Sequence, residues 1–528
     1  MNKRKLKTLS FLFRRFSYSG FCFILLIAFL GGCTAFLERE SPPEQAYSGQ
    51  IDIFLKGPER PALDITFDLS AVSIISEDGT LHEVMSSPVS INSITAAGRQ
   101  ILLAEQSLPE GGYKRLRLIV RRAYVVKEGR RIDLSLPPEG VEADIDIRIR
   151  RNRNTSLFLV WNADASVVGG RVFRPVFSVK GRVPELSSLL IYVTNEGSDN
   201  VSVINRESAE VVATVMVGRR PRGVAAGLIK ERMRVYVANS GSNSISVIDA
   251  ATNKVEDEIP VRLGWEPVDI AVSRVAPGKE LLFVTNYRSN SLSVIDSSSV
   301  HETDNINTGD GPVAVAVDPP VESLFGTGFL STADIDLLRS YRKRFLNVYV
   351  ANEKSNDVSV FRMDILNNSI EELARLRVGW GPDAIAVDYP RGKVYVANYD
   401  SDSLSVIDIL QVIRDGGSDA VSTINNVGTA VTGVIADPDF ERIYLLRKVP
   451  GEITIIRPFK RGFNLPEATM VPVTGIIPVG DSPVSFILGP EARKLYVVNR
   501  GSNNISRWST RPPERKNRLY LWAGNPMT

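Results

Sequence analysis

The sequence predicts an all-β protein built mainly from sheets that repeat around a common axis. A short phrase, a strand ending in Tyr-Val-x-Asn or a close variant and followed by a second strand, occurs seven times in the C-terminal two thirds of the chain. Successive copies lie 44 to 66 residues apart, and strand-rich repeats of this length are typical of radially arranged sheets. Before the repeats, short segments alternate apolar and polar residues, as in a half-buried antiparallel sheet. The expected fold is a seven-bladed β-propeller preceded by an antiparallel β-sandwich. The copies begin at Tyr192, Tyr236, Phe283, Tyr349, Tyr395, Tyr444 and Tyr496.

The first 32 residues have the pattern of a targeting segment. They contain six basic residues and no acidic one, followed by an apolar run from Phe21 to Leu30. The run ends in Leu30-Gly31-Gly32-Cys33, which resembles a bacterial lipobox. That resemblance implies a signal peptide over residues 1–32, cleavage before Cys33, a lipid on its thiol, and a polar tether over residues 33–50. Thr34, in place of an aspartate, favours the outer membrane by the same analogy. The alternative is an uncleaved membrane anchor with an incidental cysteine.

Charge and cysteine content exclude several classes of function. The whole chain has a formal net charge of +3, so residues 33–528 carry −3 (3 − 6), which gives no support for a nucleic-acid partner. Cys22 and Cys33 are the only cysteines. Once the signal peptide is removed and Cys33 is acylated, no thiol is left for a disulfide, a thiolate metal site or a nucleophile. The sequence Cys-x-x-Cys-His does not occur, so a c-type haem is not expected.

Residues 51–182 are expected to form the β-sandwich. The alternation is clearest from Ile145 to Arg150, and Glu110-Gly111-Gly112 supplies a turn. The segments Leu108–Leu118 and Arg174–Val179 resemble a prealbumin-like domain of bacterial lipoproteins, over about residues 48–182. The resemblance implies no activity.

Residues 183–528 resemble the YVTN-type β-propeller family known from surface-layer and secreted proteins. A complete unit is expected to have four strands, A to D from the axis outward, as in Pro382–Asp388, Val394–Asn398, Leu404–Asp408 and Ala420–Asn425. Both faces of such strands are covered by neighbouring sheets, which explains their continuous apolar runs.

The expected ring lacks one inner strand. Seven B strands and seven C strands are present, but only six clear A strands, the first at Gly223–Gly227. Residues Arg515–Ala523 align with a D strand, and Gly524-Asn525-Pro526 resembles the turn that leads to the next A strand. Arg174–Val179 is the candidate for the missing strand, although it also ends the sandwich.

One unit carries an insertion at about residues 319–346. Ser331 is a possible N-cap, and Leu337, Leu338, Tyr341 and Phe345 follow at helical spacing. An amphipathic helix packed on its own propeller is favoured over a partner-docking helix.

The repeat separates structural residues from variable ones. Six of the seven copies read Asn-x-x-Ser-[Asn/Asp] after strand B, and these residue types form tight turns with their own backbone. We therefore assign them to structure and place the candidate binding rim at the variable positions and in the neighbouring D–A turns. Its residues are Arg219, Arg220, Arg222, Trp265, Glu266, Tyr287, Arg288, Asp310, Glu353, Lys354, Trp380, Tyr399, Asp400 and Arg500. Aromatic and charged residues on one rim favour a recognition surface. The alternative is that Trp265 and Trp380 cap the junctions between blades.

Enzymatic functions have less support. Only two histidines occur, His82 in the sandwich and His301 in a C–D loop, and neither Gly-x-Ser-x-Gly nor His-Glu-x-x-His is present. No catalytic residue, cofactor or metal ligand is assigned. A lactonase-like propeller could use Glu266, Asp310 and Asp400 around a divalent cation, and this alternative stays open.

Basic runs mark the sandwich: Lys114-Arg115, Arg121-Arg122, Arg130-Arg131 and Arg148 through Arg153. Such runs are typical of a solvent-exposed sheet face, or of charges that keep the edge of a sheet from pairing with another chain. The alternative is that they contact anionic lipid headgroups or lipopolysaccharide.

The sequence thus predicts a lipid-anchored, extracytoplasmic binding scaffold of the cell envelope whose propeller rim recognises a protein or glycan partner. Alternatives are a metal-dependent lactonase or hydrolase and a surface-layer or envelope assembly component. The oligomeric state is not predicted.

Overall fold

The computed structural model describes residues 48–510 and 522–523, apart from residues 86, 138–139, 181–188, 230–231, 277, 321–328, 418, 438–440, 458–472 and 490–493. The predicted signal peptide, Cys33, the tether up to residue 47, and most of the segments predicted at 515–526 lie outside these residues. No helix among the described residues has the length and apolarity needed to cross a membrane.

Residues 48–180, here called the N-terminal domain, form two main sheets around one core. One sheet has the order β12-β9-β1-β5, and the other has the order β3-β2-β6-β7 with β4 beside β2 and β8 beside β6. Both sheets contribute to a single hydrophobic cluster in which Phe67 packs edge-on against Trp161, with ring centroids 5.0 Å apart. The strands are β1 Ser48–Lys56, β2 Asp64–Ser76, β3 Leu81–Glu83, β4 Val89–Asn92, β5 Gln100–Pro109, β6 Gly111–Lys127, β7 Arg130–Asp133, β8 Val141–Ile149, β9 Asn154–Asn162, β10 Val167–Val168, β11 Val172–Phe173 and β12 Val176–Lys180.

The expectation of antiparallel pairing is wrong for one pair of strands. Strands β1 and β9 pair in parallel, from Gln50 with Asn154 to Lys56 with Val160. A parallel pair needs a long crossover, and here the strands of the second sheet lie between β1 and β9 in the chain. The alternation of apolar and polar residues within a strand does not indicate whether that strand pairs in parallel or antiparallel with its neighbour.

Residues 189–523, here called the repeat domain, form seven sheets within the described part of the chain. The first has three strands, β13-β14-β15, five have four strands each in chain order, and the last, β36-β37-β38-β39, joins β5 of the N-terminal domain. The strands are β13 Leu190–Asn195, β14 Asn200–Asn205, β15 Glu210–Met216, β16 Pro221–Ile229, β17 Arg232–Asn239, β18 Ser244–Asp249, β19 Lys254–Pro260, β20 Pro267–Ala276, β21 Lys279–Asn286, β22 Ser291–Asp296, β23 His301–Asn307, β24 Pro312–Val317, β25 Phe345–Asn352, β26 Asp357–Asp364, β27 Ser369–Arg377, β28 Pro382–Asp388, β29 Lys393–Asn398, β30 Ser403–Asp408, β31 Val421–Asn425, β32 Val431–Asp437, β33 Arg442–Arg447, β34 Glu452–Ile456, β35 Val473–Pro478, β36 Pro483–Leu488, β37 Lys494–Asn499, β38 Asn504–Ser509 and β39 Trp522–Ala523.

The core of the repeat domain is distributed between neighbouring sheets. Each hydrophobic cluster contains residues of adjacent sheets, and the aromatic residues of the repeated phrase, such as Tyr236, Phe283 and Tyr395, are fully buried there. The innermost strand of every sheet lines one shared cavity of about 430 Å³, here called the channel. The sheets therefore surround a common axis, as the repeat predicts.

The first sheet has no inner strand in the described residues. Strand β13 is the edge of its sheet and borders the channel directly. The hypothesis that Arg174–Val179 also serves this sheet is wrong, because Val176–Lys180 pairs with β9 and not with β13. On this side Phe54 of the N-terminal domain packs with Ile191 of the first sheet and with Tyr496 and Ile505 of the last.

Polar contacts also join the N-terminal domain to the first sheet. The side chain of Gln100, 4% exposed, donates to the carbonyl of Val211 at 3.3 Å and accepts from its N–H at 2.8 Å. The carboxyl of Asp52, 2% exposed, accepts from the Thr214 hydroxyl and from Asn154 Nδ2, the latter at 2.7 Å. A buried polar network therefore lies between the two domains, where each lost partner would be costly.

Two α-helices accompany the repeats in the described part of the chain. Helix α1, Thr332–Arg342, lies within the predicted insertion and is capped by Ser331, which accepts from the Asp334 N–H at 3.2 Å. Leu338 is fully buried and Tyr341 donates to Asn347 at 2.7 Å, so α1 packs on its own domain. Helix α2, Ile409–Asp415, was not predicted; it lies between β30 and β31.

Candidate functional site: the rim and the mouth of the channel

The rim is the end of the repeat domain at which the D–A and B–C loops meet. Its loops are joined by pairs of backbone hydrogen bonds. In the third sheet, the Tyr287 N–H donates to the backbone carbonyl of Glu266 at 2.9 Å, and the Arg288 N–H donates to the backbone carbonyl of Trp265 at 3.2 Å. The same pair of backbone bonds recurs in four other sheets. The N–H groups of the B–C loop donate to carbonyls of the D–A loop as follows: Ser240 and Gly241 to Arg220 and Arg219, Glu353 and Lys354 to Gly311 and Asp310, Tyr399 and Asp400 to Gly381 and Trp380, and Arg500 and Gly501 to Ser482 and Asp481. These bonds use no side-chain atoms, so they do not themselves restrict the side chains at the donating positions, whereas the accepting residue before each proline has a positive φ that favours glycine.

The repeated Asn-x-x-Ser-[Asn/Asp] residues are structural, which confirms that prediction. In the third sheet, Asn286 Nδ2 donates to Ser293 Oγ at 2.7 Å, and Ser289 Oγ accepts the Trp265 N–H at 3.0 Å. The last residue of the motif has a positive φ in five of the six copies, and in the third sheet its side chain bonds the next sheet, where Asn290 Oδ1 accepts the Gly311 N–H at 2.9 Å. A Cβ added to Gly264 would lie 2.2 Å from Asn286 Cγ, which explains the glycine at the start of this turn.

Trp265 and Trp380 are exposed on the rim. Their side chains are 61% and 70% exposed, so neither fills a junction between sheets, and the alternative role as caps is wrong. Their backbones are fixed, because the N–H of each donates to a serine hydroxyl at 3.0 Å, Ser289 for Trp265 and Ser401 for Trp380. The indole rings are therefore presented to solvent from rigid turns.

A basic group surrounds Glu196 at the first and second sheets. Arg220 Nη2 lies 2.9 Å, Arg222 Nε 3.4 Å and Arg500 Nη2 3.9 Å from a carboxylate oxygen of Glu196. Burial alone would raise the pKa of Glu196, but the hydrogen bond from Arg220 and the charges of Arg222 and Arg500 hold it below its usual value. Arg219, Arg220 and Arg500 line an open hollow of about 650 Å³ together with Glu196 and Asp199, so its positive charges exceed its negative ones.

A second hollow of about 500 Å³ combines aromatic and charged groups at the third and fourth sheets. It is lined by Glu266, Tyr287, Arg288, Asn290, Asp310 and Lys354. The Tyr287 hydroxyl donates to Glu353 at 3.0 Å, and Lys354 Nζ lies 4.2 Å from the centroid of the Tyr287 ring. Asn290 donates to Asp310 at 3.0 Å. Tyr287 is therefore held between an acid and a base.

Two carboxyl groups that the sequence did not single out line the channel. Asp269 accepts the Val315 N–H at 2.9 Å, and burial raises its pKa to about 6. Burial, with the nearby charges of Glu353 and Asp400, also raises the pKa of Asp383 to about 6, although Lys448 opposes the shift. The other copies carry only glycine, alanine or serine at the position of Asp269, whereas at the position of Asp383 they carry valine, threonine or arginine. Comparing the repeated strands with one another in the sequence could therefore have identified these two acidic residues.

The acids suggested for a lactonase-like metal site are not all brought together. Glu266 and Asp310 line the second hollow, whereas Asp400 is not among its lining residues. Among the described residues, no group of three histidine, cysteine, aspartate or glutamate side chains is placed to hold a metal ion.

The sequence of the repeat domain matches a known family over part of its length. Residues 187–319 match the model of the YNCE-like beta-propeller family. The repeat domain has a β-propeller fold. The propeller's match covers the first three sheets and the first strand of the fourth, where the repeated phrase occurs most regularly. No curated protein sequence matches the chain.

Several solved structures are similar to the chain at low sequence identity. Hydrazine synthase of Kuenenia stuttgartiensis matches with a TM-score of 0.47 and 18% identity, over 61% of this chain and 92% of that one. A protein of unknown function from Desulfotomaculum acetoxidans matches with a TM-score of 0.47 and 10% identity, over 64% and 99%. A candidate 6-phosphogluconolactonase of Bacteroides fragilis matches with a TM-score of 0.45 and 14% identity, over 64% and 95%. Similarity at this level assigns no activity to the present chain.

Proposed function

We propose that this protein is a lipid-anchored extracytoplasmic binding scaffold whose propeller rim recognises a protein or glycan partner. The exposure of Trp265 and Trp380 on rigid, hydrogen-bonded turns carries the proposal. Tryptophans that a partner covers on binding are among the residues that contribute most of the binding energy in many interfaces. Holding them in rigid turns before binding reduces the conformational entropy that is lost when the complex forms. The two charged hollows of the rim supply polar groups that would orient a partner.

The architecture assigned to this function is a seven-bladed propeller on a β-sandwich. The seven sheets that surround the channel would be the blades, and the two sheets of the N-terminal domain would be the sandwich between the membrane and the propeller. The Gln100 and Asp52 contacts with the first sheet support a fixed orientation of the rim relative to the sandwich.

Replacing both rim tryptophans with alanine is expected to abolish partner recovery while leaving the fold intact. Loss of one interface tryptophan typically costs about 2 kcal/mol or more of binding free energy, and tenfold in affinity corresponds to about 1.4 kcal/mol. We therefore expect at least a tenfold fall in partner recovered when the full-length chain is cross-linked in membranes and isolated. Exposed side chains contribute little to folding, so the unfolding temperature should stay unchanged.

Leu366→Ala is the matched control for the tryptophan pair. Leu366 is 73% exposed in the turn between β26 and β27, at the end of the propeller opposite the rim. Its substitution should leave partner recovery at the wild-type level. Equal recovery with the wild type and the Trp265→Ala/Trp380→Ala chain would refute recognition by the rim. Recovery of a second tagged copy of the chain as the partner would instead favour an assembly component.

The proposed anchor depends on Cys33, which lies outside the described residues. We expect Cys33→Ser to block acylation, because the serine hydroxyl cannot replace the thiol that receives the lipid. Fatty-acid label should then be lost, and the chain should keep residues 1–32 and migrate as a larger precursor. A labelled or normally processed Cys33→Ser chain would contradict the lipoprotein assignment, with Cys22→Ser as the control that should be processed normally.

A further inference from the structure

A cleft separates the N-terminal domain from the first two propeller sheets. It has a volume of about 320 Å³ and runs along β9 on one side and β15 on the other. The turn between β8 and β9 and the start of β19 form its two ends. The cleft is distinct from the rim and from the channel, since its lining residues belong to neither.

Among the described residues that line this cleft, none is a carboxylate and four are cations: Arg148, Arg150, Arg153 and Lys254. All four are exposed, and within the described residues none of their side chains has an ion pair or a hydrogen bond. Other arginines of the same domain are neutralised; Arg117 lies 2.6 Å from Glu142 and Arg122 lies 2.7 Å from Asp68. Within the described part of the chain, the positive charge of the cleft therefore has no paired counter-charge, which differs from the ion-paired arginines elsewhere in this domain.

The floor of the cleft is polar and rigid. Ser156 Oγ and Thr214 Oγ1 are 2.7 Å apart, and the Thr214 N–H donates to Ser156 Oγ at 3.2 Å. Behind them, the Thr214 hydroxyl is bonded to buried Asp52. Phe158 and Val212 add an apolar wall. Because the volume exceeds that of a bare ion, the wall and floor fit an organic group that carries the anion.

We propose that this cleft binds the phosphate of an anionic phospholipid headgroup. Arginine guanidinium groups match phosphate oxygens with paired hydrogen bonds, and a phosphate ester is an anion that several converging cations would favour. The location supports a membrane source: Asn152 N–H donates to the Ser48 carbonyl at 3.2 Å, so the cationic turn lies beside the first strand of the described chain. The fourteen residues 34–47 between Cys33 and Ser48 reach at most about 50 Å when extended. The choice of a lipid as the source rests on the proposed anchor; the phosphate site does not.

The proposal is tested by calorimetric titration of the detergent-solubilised full-length chain. The probes are short-chain phosphatidylglycerol, short-chain phosphatidylcholine as the zwitterionic control, and glycerol 3-phosphate as the soluble ester. We expect phosphatidylglycerol to bind more tightly than phosphatidylcholine. Arg150→Gln/Arg153→Gln should weaken that binding at least tenfold, since charge-assisted bonds are among the strongest polar contacts.

Arg121→Gln/Arg130→Gln is the matched control, since it removes two exposed cations of the same domain that lie outside the cleft. It should change affinity less than twofold. An equal loss in both double variants, or no binding of phosphatidylglycerol and glycerol 3-phosphate by the wild type, would overturn the proposal. Tight binding of glycerol 3-phosphate, without preference for phosphatidylglycerol over phosphatidylcholine, would overturn the lipid source and keep the phosphate site. The Trp265→Ala/Trp380→Ala chain should bind the probes normally, which separates this test from that of the rim.

Discussion

Asp52→Asn is expected to remove the largest single contribution to the pH dependence of unfolding between about pH 4 and pH 7, to which Asp269, Asp318 and Asp383, with pKa values raised to about 6, also contribute. Burial raises the pKa of Asp52 from 3.8 to about 7, and the charge of Glu105 adds to the shift, while hydrogen bonds from Thr214 and Asn154 oppose it. The native chain therefore binds a proton in this window that the unfolded chain has released. Stability falls as pH rises through the window, by about 4 kcal/mol for a shift of three units.

Asparagine imitates the protonated acid, so the variant should match the wild type near pH 4 and exceed its stability above pH 7. Its amide oxygen can accept the bonds from Thr214 and Asn154 that Asp52 Oδ2 accepts. The measurement is the unfolding temperature of the full-length chain across this pH range. Asp133→Asn, at an exposed pair with Arg131, is the control and should alter stability by less than about 1 kcal/mol. A parallel pH profile for wild type and Asp52→Asn would contradict the assignment.

Arg391→Met is expected to destabilise the propeller by about 3–5 kcal/mol at neutral pH, because it leaves a buried carboxylate without its cation. Arg391 Nη1 lies 2.6 Å from Asp388 Oδ2, and their side chains are 5% and 0% exposed. Burial raises the pKa of Asp388, and Arg391 limits the shift. Without Arg391 the pKa of Asp388 should rise further. The loss of unfolding free energy in Arg391→Met should therefore become smaller as the pH falls and Asp388 takes up a proton.

Two comparisons make the Arg391 prediction specific. Arg375→Met removes an exposed partner of Glu372 and should cost less than about 1 kcal/mol. Adding Asp388→Asn to Arg391→Met should recover part of the lost stability, because the buried charge is gone. Chemical unfolding of the full-length chain measures all of these. A loss at Arg391 no larger than at Arg375 would show that the buried pair contributes little.

The repeat domain could be predicted closely because each strand is specified locally. The strands predicted at Pro382–Asp388, Val394–Asn398, Leu404–Asp408 and Ala420–Asn425 agree with the structure within one residue at each end. Apolar runs, turn residues and the period all indicate the same fold. Helix α2 was missed because its seven residues are too few to show helical periodicity against the neighbouring apolar strand.

What the sequence could not predict depends on contacts between distant residues. Thr214 and Asp52 are 162 residues apart, and nothing local marks either as half of a buried pair. Val176–Lys180 has the alternation of a strand, but alternation is the same whether the partner is β9 or a blade. At the rim, the candidate residues could be identified by their variability among copies, whereas the exposure of Trp265 and the pairing of Tyr287 with Glu353 required the structure.

The backbone bonding of the rim loops has a consequence for how this protein can evolve. Each loop pair is held mainly by amide and carbonyl groups and by side chains of the repeated turn residues, and side chains at the intervening positions add bonds only in some copies, as Arg220 does with Glu196. Mutations at the intervening positions can therefore accumulate with little selection against misfolding, as in the loops of an antibody domain. Lineages could acquire new specificities by changing residues such as Glu353, Tyr399 and Arg500 while the scaffold stays constant. The same positions are suitable for a randomised library in the laboratory.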